Sequence, residues 1–179
     1  NTSFPSLAIF HFLDRATASI DQNSILLGAQ NMCWEDQGQF TGEISPLMLK
    51  ELGIKLVMIG HSERRHVFGE TDYEENKKVK ASQTTDSRHF FVLAETGEQK
   101  GIRCQTPKIL TAQQLKIGFH GVSKDQIEMI WVAYEPVWSI GVNGTPASPD
   151  YCRKMHKVIK RNAPRIDSAT PAKRFRFST

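Results

Sequence analysis

Two short stretches set a titratable side chain directly after a run of apolar residues. Lys55 to Gly60 reads KLVMIG and leads into His61-Ser62-Glu63-Arg64-Arg65, and Met129 to Tyr134 reads MIWVAY and leads into Glu135-Pro136-Val137-Trp138. A run that is apolar on both faces is the pattern of a strand covered by helices on both sides. In such sheets ligands gather at the C-terminal ends of the strands. His61 and Glu135 are therefore candidates for proton transfer. Imidazole is easily tuned near neutral pH. A carboxylate at the end of an apolar strand is desolvated, which disfavours its charged form and moves it toward the strength of a useful base. Gly60 lets the backbone come close to a ligand. Taken singly, each residue is equally well read as a polar side chain at a strand exit. The stretch Ser139-Ile140-Gly141-Val142-Asn143-Gly144-Thr145-Pro146 follows. Two glycines and an asparagine tolerate unusual backbone angles. With Pro136 and Pro146 at its ends, the segment has the composition of a lid, or of an ordinary strand-to-helix loop.

Positioning these residues requires an alternation of strands and helices. Leu7 to Phe10 is a weak strand, in conflict with Ile9, Leu13, Ala16 and Ile20 at helical spacing. Ser24 to Asn31 reads as a strand. Ser45-Pro46 opens a helix, Ser as cap and Pro at the first helical position. Leu47, Met48, Leu49 and Leu52 supply its buried face, and Gly53 ends it. Thr71-Asp72-Tyr73-Glu74 is a capping box that starts a charged helix. Phe90 to Ala94 is a strand and Ala112 to Ile117 a helix. Ser148-Pro149-Asp150 repeats the cap-then-Pro sign, and Tyr151, Met155, Val158 and Ile159 give the helix beyond it an apolar stripe. Strands separated by helices imply βαβ units and a parallel sheet, about five units in all. Ser82 to His89 and Gly101 to Lys108 show neither period. Residues 1–161 form one domain. Residues 162–179, NAPRIDSATPAKRFRFST, are a basic tail without an apolar face, expected to be disordered.

Bulk properties narrow the function classes. The chain has 179 residues, 39% apolar and 23% charged, with net charge +4, as in a globular domain with a real core. The slight basic excess suits anionic metabolites and is no nucleic-acid footprint. The tail cations Lys160, Arg161, Arg165, Lys173, Arg174 and Arg176 read as solvated charges, so no nucleic-acid partner is expected. No apolar run nears the ~18 residues of a membrane span, so no membrane partner is expected, and no basic-then-apolar leader opens the chain. Three widely spaced cysteines, Cys33, Cys104 and Cys152, fit a reduced, cytoplasmic setting. No Cys/His cluster has metal spacing, so no metal is expected.

Taken together, the motifs resemble one family. Ile59 to Asp72, IGHSERRHVFGETD, and Ala133 to Gly141, AYEPVWSIG, are similar to the two signature segments of the triosephosphate isomerases, and Gly38 to Ser45, GQFTGEIS, to a third. The resemblance covers most of Asn23 to Lys80 and Met129 to Arg161. It implies an incomplete (β/α)8 TIM barrel that begins near the family's second strand. The family's lysine after the first strand and its last two strands have no counterpart, so activity of this chain by itself is expected to be weak or absent. The implied activity is interconversion of glyceraldehyde 3-phosphate and dihydroxyacetone phosphate through an enediolate, with no cofactor. In this reading, which is the family's known mechanism and no product of spacing, Glu135 is the base and His61 a neutral electrophile. Ser62 and Glu63 are supporting residues, partners of Glu135 and of the family's catalytic lysine, and the Gly141 N–H grips the substrate phosphate. Pro136, Val137, Trp138, Ser139, Ile140, Val142, Asn143, Gly144, Thr145, Pro146 and Ala147 form the lid. Phe40, Thr41, Gly42 and Glu43 form the loop that enters a second subunit of a homodimer. The departure of Asn143-Gly144-Thr145-Pro146-Ala147 from the family's hinge leaves open a side branch acting on an erythrulose phosphate, and a non-catalytic remnant is the alternative of another class.

Overall fold

The computed structural model describes residues 4–21, 23–82, 88–95, 107–140, 142 and 144–163. Among these residues five strands form one sheet in the order β1-β2-β3-β4-β5. They are β1 (Phe4–Ala8), β2 (Ile25–Ala29), β3 (Leu56–Ile59), β4 (Arg88–Glu95) and β5 (Ile130–Pro136). Every neighbouring pair is parallel: Phe4 faces Ile25, Ala29 faces Val57, Leu56 faces Arg88, and His89 faces Ile130. Helices lie in each connection: α1 (Phe10–Ser19), α2 (Pro46–Glu51), α3 (Ser62–His66) with α4 (Asp72–Ala81), and α5 (Pro107–Gly118) with α6 (Lys124–Glu128). α7 (Pro149–Asn162) follows β5. Strand order that follows chain order, with helical crossovers throughout, is the architecture of consecutive βα units of a (β/α)8 barrel, here five of them.

The core is what the apolar runs dictate. Leu27 and Ala29 of β2, Val57 and Ile59 of β3, Phe91 of β4, and Ile130 and Val132 of β5 are buried. Helices close over them with Leu13, Leu49, Val79, Leu115, Met155 and Ile159. The caps are local and behave as their chemistry requires. The hydroxyls of Ser45, Thr71 and Ser148 each accept the N–H three residues on, from Met48, Glu74 and Tyr151. Glu74 returns its carboxylate to the Thr71 N–H at 2.8 Å and completes the box.

Several details differ from the sequence expectation. The first strand is Phe4–Ala8 and not Leu7 to Phe10, because Phe10 already opens α1. In α2 only Pro46 and Leu49 are buried, while Leu47 and Met48 are exposed. A six-residue helix turns one i, i+3 pair inward and has no length for a wider stripe. β4 begins at Arg88 and α5 at Pro107, inside stretches without a visible period. α6 is not anticipated, although Ser123 and Gln126 form a second capping box. α4 is charged in sequence yet buries Glu75, Asn76 and Lys78. α7 runs through Asn162, and its cap Ala163 is buried. The rest of the basic tail, residues 164–179, lies outside the described residues, as does Cys104.

Candidate active site

β3 and β5 flank β4 and leave the sheet at the same end. Gly60 follows β3 with φ +82°, a left-handed turn that makes His61 the N-cap of α3. A Cβ on Gly60 would lie 3.0 Å from Glu75 Oε2, 3.0 Å from the Val92 carbonyl oxygen and 3.1 Å from an Arg65 nitrogen. The angle therefore calls for glycine, and the space leaves a Cβ little room.

The start of α3 organises the two candidate proton-transfer groups. Its leading N–H groups have no acceptor within the helix. Glu63 N–H donates to His61 Nδ1 at 3.3 Å, and Ser62 N–H donates to Glu135 Oε2 at 3.2 Å. His61 Nε2 lies 3.2 Å from Glu135 Oε1. With Nδ1 an acceptor, the neutral ring carries its proton on Nε2, the atom that faces Glu135. The side chains of His61 and Glu135 are 27% and 21% exposed, so the pair is shielded but still reachable by a small ligand. A cleft of about 320 Å³ opens in front of His61, lined among others by Ile9, Asn31, Met58, Arg64 and Phe68. Glu135 flanks His61 outside that lining.

The other residues singled out in the sequence fall as follows. Ser62 is buried, and its backbone rather than its hydroxyl meets Glu135. The Glu63 carboxylate is largely exposed, 3.9 Å from His61 Nδ1. Pro136 ends β5, and Val137–Ser139 form a 3-10 turn closed by the Ser139 hydroxyl donating to the Pro136 carbonyl at 2.9 Å. Trp138 packs edge-on against Tyr151 of α7, ring centres 5.2 Å apart, and Thr145 N–H returns to the Trp138 carbonyl at 3.3 Å. Ile140 and Val142 are exposed; Gly144 packs so close to the Ser139 carbonyl that a Cβ would sit 2.4 Å from it. Pro146 is exposed and Ala147 half-buried. Gly141 and Asn143 lie outside the described residues. Phe40, Thr41, Gly42 and Glu43 form an exposed turn on a closed base: Cys33 N–H donates to the Ile44 carbonyl at 2.8 Å, and Glu43 N–H to that of Phe40 at 3.0 Å.

A buried ionic cluster under α3 is absent from the sequence reading. Lys78 Nζ donates to Asn31 Oδ1 at 2.8 Å and to Glu70 at 2.5 Å, and Arg64 donates to Glu70 at 2.6 Å. Arg65 donates through Nε to the Gly60 carbonyl at 2.9 Å, and through its two terminal nitrogens to Asp72 and Glu75. Burial pushes the Glu70 carboxyl up, but hydrogen bonds from Arg64 and Lys78 outweigh it and hold the group below its ordinary value. Glu75 is fully buried; desolvation raises it to about 8 against the pull of Arg65. Burial, with Arg65 beside it, also lowers the His66 imidazole, partly offset by Glu135. In a helix as charged as α4 no sequence sign marks Glu75 and Lys78 as inward-facing. Among the described residues no group of His, Cys, Asp and Glu is arranged to hold a metal ion, and no helix is long and apolar enough to cross a membrane.

Comparison with known proteins gives one consistent result. The family model described as triosephosphate isomerase matches residues 6–176, a range that runs through both stretches without a visible period. The triosephosphate isomerase of Carboxydothermus hydrogenoformans is 44% identical over 142 residues, 79% of this chain and 55% of that protein. That of Thermoanaerobacter pseudethanolicus is 46% identical over 141 residues, 79% of this chain and 54% of the relative. That of Clostridium novyi is 36% identical over 173 residues, 97% of this chain and 66% of the relative. The chain thus spans a little over half the length of most of these curated relatives.

Proposed function

This chain belongs to the triosephosphate isomerase family, and from that premise we propose that His61 and Glu135 are the acid–base pair of an aldose–ketose isomerase acting on triose phosphates. The observation that carries the proposal is the 3.2 Å approach of His61 Nε2 to Glu135 Oε1, with each side chain held from behind by an N–H of α3. In the reaction, Glu135 takes a proton from the carbon beside the substrate carbonyl. The Nε2–H of neutral His61 donates to the carbonyl oxygen as negative charge develops there. His61 Nε2 then moves a proton from the hydroxyl oxygen of the enediolate to the former carbonyl oxygen, and the intermediate collapses to the new carbonyl when Glu135 returns its proton to the neighbouring carbon. Substrate enters between the two side chains and replaces their mutual contact. This scheme is the family's own known one, carried over to matching residues. The segment Pro136 to Ala147 closes over the enediolate and excludes water, and the Gly141 N–H binds the phosphate. The exposed turn Phe40 to Glu43, on its closed base, is the element with which a second copy is engaged, and a reducing cytoplasm is the setting that Cys33 and Cys152, both free thiols, favour.

The test is turnover of glyceraldehyde 3-phosphate by the 179-residue chain and by Glu135→Gln. Turnover by the chain itself is expected to be weak, and because a general base contributes about 10²–10⁴-fold to kcat, Glu135→Gln should remove what remains. Turnover that is robust and indifferent to the substitution removes Glu135 from the mechanism.

A further inference from the structure

Glu75 has no part in the proton transfers above, yet its carboxyl lies directly under the turn that presents His61. It is fully buried, and among the described residues its Oε1 has no hydrogen-bond partner. Its Oε2 meets Arg65 and lies 3.0 Å from where a Gly60 Cβ would be. Arg65 is itself only 8% exposed and ties three elements together. Its Nε holds the Gly60 carbonyl at 2.9 Å, one nitrogen reaches the Val92 carbonyl of β4 at 3.4 Å, and Asp72 and Glu75 of α4 grip the same guanidinium. Gly60 precedes His61, and Arg65 stands on the helix whose first N–H groups hold His61 and Glu135.

We propose that Glu75 is a positioning residue for His61: through Arg65, the ionisation of its carboxyl sets the placement of the Gly60–His61 turn and of the α3 N-terminus. The charge balance explains why one proton matters. Among the described residues the charged groups facing Glu75 are Arg65 of α3, Glu70 of the turn before α4, and Asp72 and Lys78 of α4 itself. β3 and β4 offer it backbone there, the Gly60 α-carbon and the Val92 carbonyl. When Glu75 is ionised, it and Asp72 divide the guanidinium between them and compete with the two carbonyls for its donors. When Glu75 is protonated, Asp72 alone draws Arg65, and the guanidinium is free to favour Gly60 and Val92. A charged group in a site this dry is poorly screened, so the change is felt at contact distance without dilution by water. The neutral form is the one burial favours at pH 7, with ionisation expected near pH 8.

The inference rests on the reading of His61 as the proton-handling group, but its test does not use turnover. The full 179-residue chain, labelled with 13C and 15N, is titrated from pH 6 to 9.5. The Glu75 carboxyl carbon and the His61 Nε2 and Nδ1 resonances are followed together. The expected result is a Glu75 inflection near pH 8, with a matching inflection in the His61 ring nitrogens and the Ser62 amide. In Glu75→Gln, which keeps the shape and cannot ionise, the high-pH inflection at His61 and Ser62 is lost. In Arg65→Lys, which cannot span both carboxylates and the Gly60 carbonyl at once, Glu75 still titrates and His61 no longer follows. Glu75 without an inflection in this range, or an inflection at Glu75 that leaves His61 and Ser62 unmoved, overturns the proposal. So does a high-pH inflection at His61, coincident with that of Glu75 in the parent, that persists in Glu75→Gln. Because no catalytic readout enters, the result stands whether or not the chain turns over, and a failure of the isomerase reading at Glu135→Gln leaves it intact.

Discussion

At neutral pH the half-buried carboxyl of Glu70 and the buried one of Glu75 act on stability in opposite senses. Glu75 is raised from 4.5 to about 8 by desolvation, so the folded state binds its proton more tightly than the unfolded chain does. Its contribution is fully present below about pH 4.5 and is lost as pH rises through about 8. Glu70 is held down by Arg64 and Lys78 despite its burial. Its contribution is present above the ordinary carboxylate value and is lost as pH falls through the lowered one. Glu75→Gln should therefore flatten the decline in Tm between pH 6 and 9, and at pH 9 it should be the more stable protein by on the order of a few kcal/mol. Parallel Tm curves for the two proteins would show that Glu75 does not ionise in the fold. His61 and Glu135 were legible in the sequence because each follows an apolar strand, where a polar side chain stands out. Glu75 was not legible, because in a helix as charged as DYEENKKVKA another acid reads as one more solvated group. Only the third dimension shows that α4 turns Glu75, Lys78 and Val79 inward together.

Elements were legible where their signs are local. Ser45, Thr71 and Ser148 cap helices because a hydroxyl and a free N–H three residues on find each other without help from the rest of the chain. Ser148→Ala should cost α7 about 1 kcal/mol, read as a fall in the urea midpoint with an unchanged slope. The limits of β4 and α5 were less legible because neighbours set them. Phe91 is fully buried against Phe119, ring centres 5.0 Å apart, and Gly118 packs its α-carbon on the Phe91 ring. A Cβ at Gly118 would sit 2.3 Å from Phe91 Cζ. Although alanine is the better helix former, Gly118→Ala should destabilise by about 1–3 kcal/mol, as overpacking does. Denaturation that leaves Gly118→Ala as stable as the parent would mean that β4 and α5 have room to separate. The misjudged face of α2 has the same origin: Leu47 and Met48 are as apolar as Leu49, and position on a short helix, not residue type, decides which is covered.

For the molecule as a whole, parallel order, apolar strand runs and capped helices all specify the same stack of βα units, which is why the architecture could be read before any contact was known. The sequence says less about the rims of the sheet. Among the described residues β1 pairs with β2 alone and β5 with β4 alone. The two rims are unequal. β1 carries Pro5, which has no N–H to offer a further strand. β5 is seven residues long, apolar through most of its length, and holds no proline before Pro136. A rim of that kind, with no second partner among the described residues, is a template for another strand. The 179-residue chain should therefore associate in a concentration-dependent way by sedimentation velocity. Growth through backbone pairing and apolar contact is weakly screened, so raising salt to 1 M should not reverse it, since only exposed charge attraction is screened at that strength. The exposed turn at Phe40 provides the control. It follows β2, and β3 and β4 stand between β2 and β5. Phe40→Lys should abolish any specific two-fold association made by that turn while leaving the growth at β5 in place. Hydrogen exchange distinguishes the two sites directly. With rising concentration, protection should increase at β5 amides in both proteins, and in the Phe40–Glu43 turn only in the parent. A chain that remains a single species up to about 100 µM, with β5 exchange independent of concentration, would mean that the β5 rim is already covered.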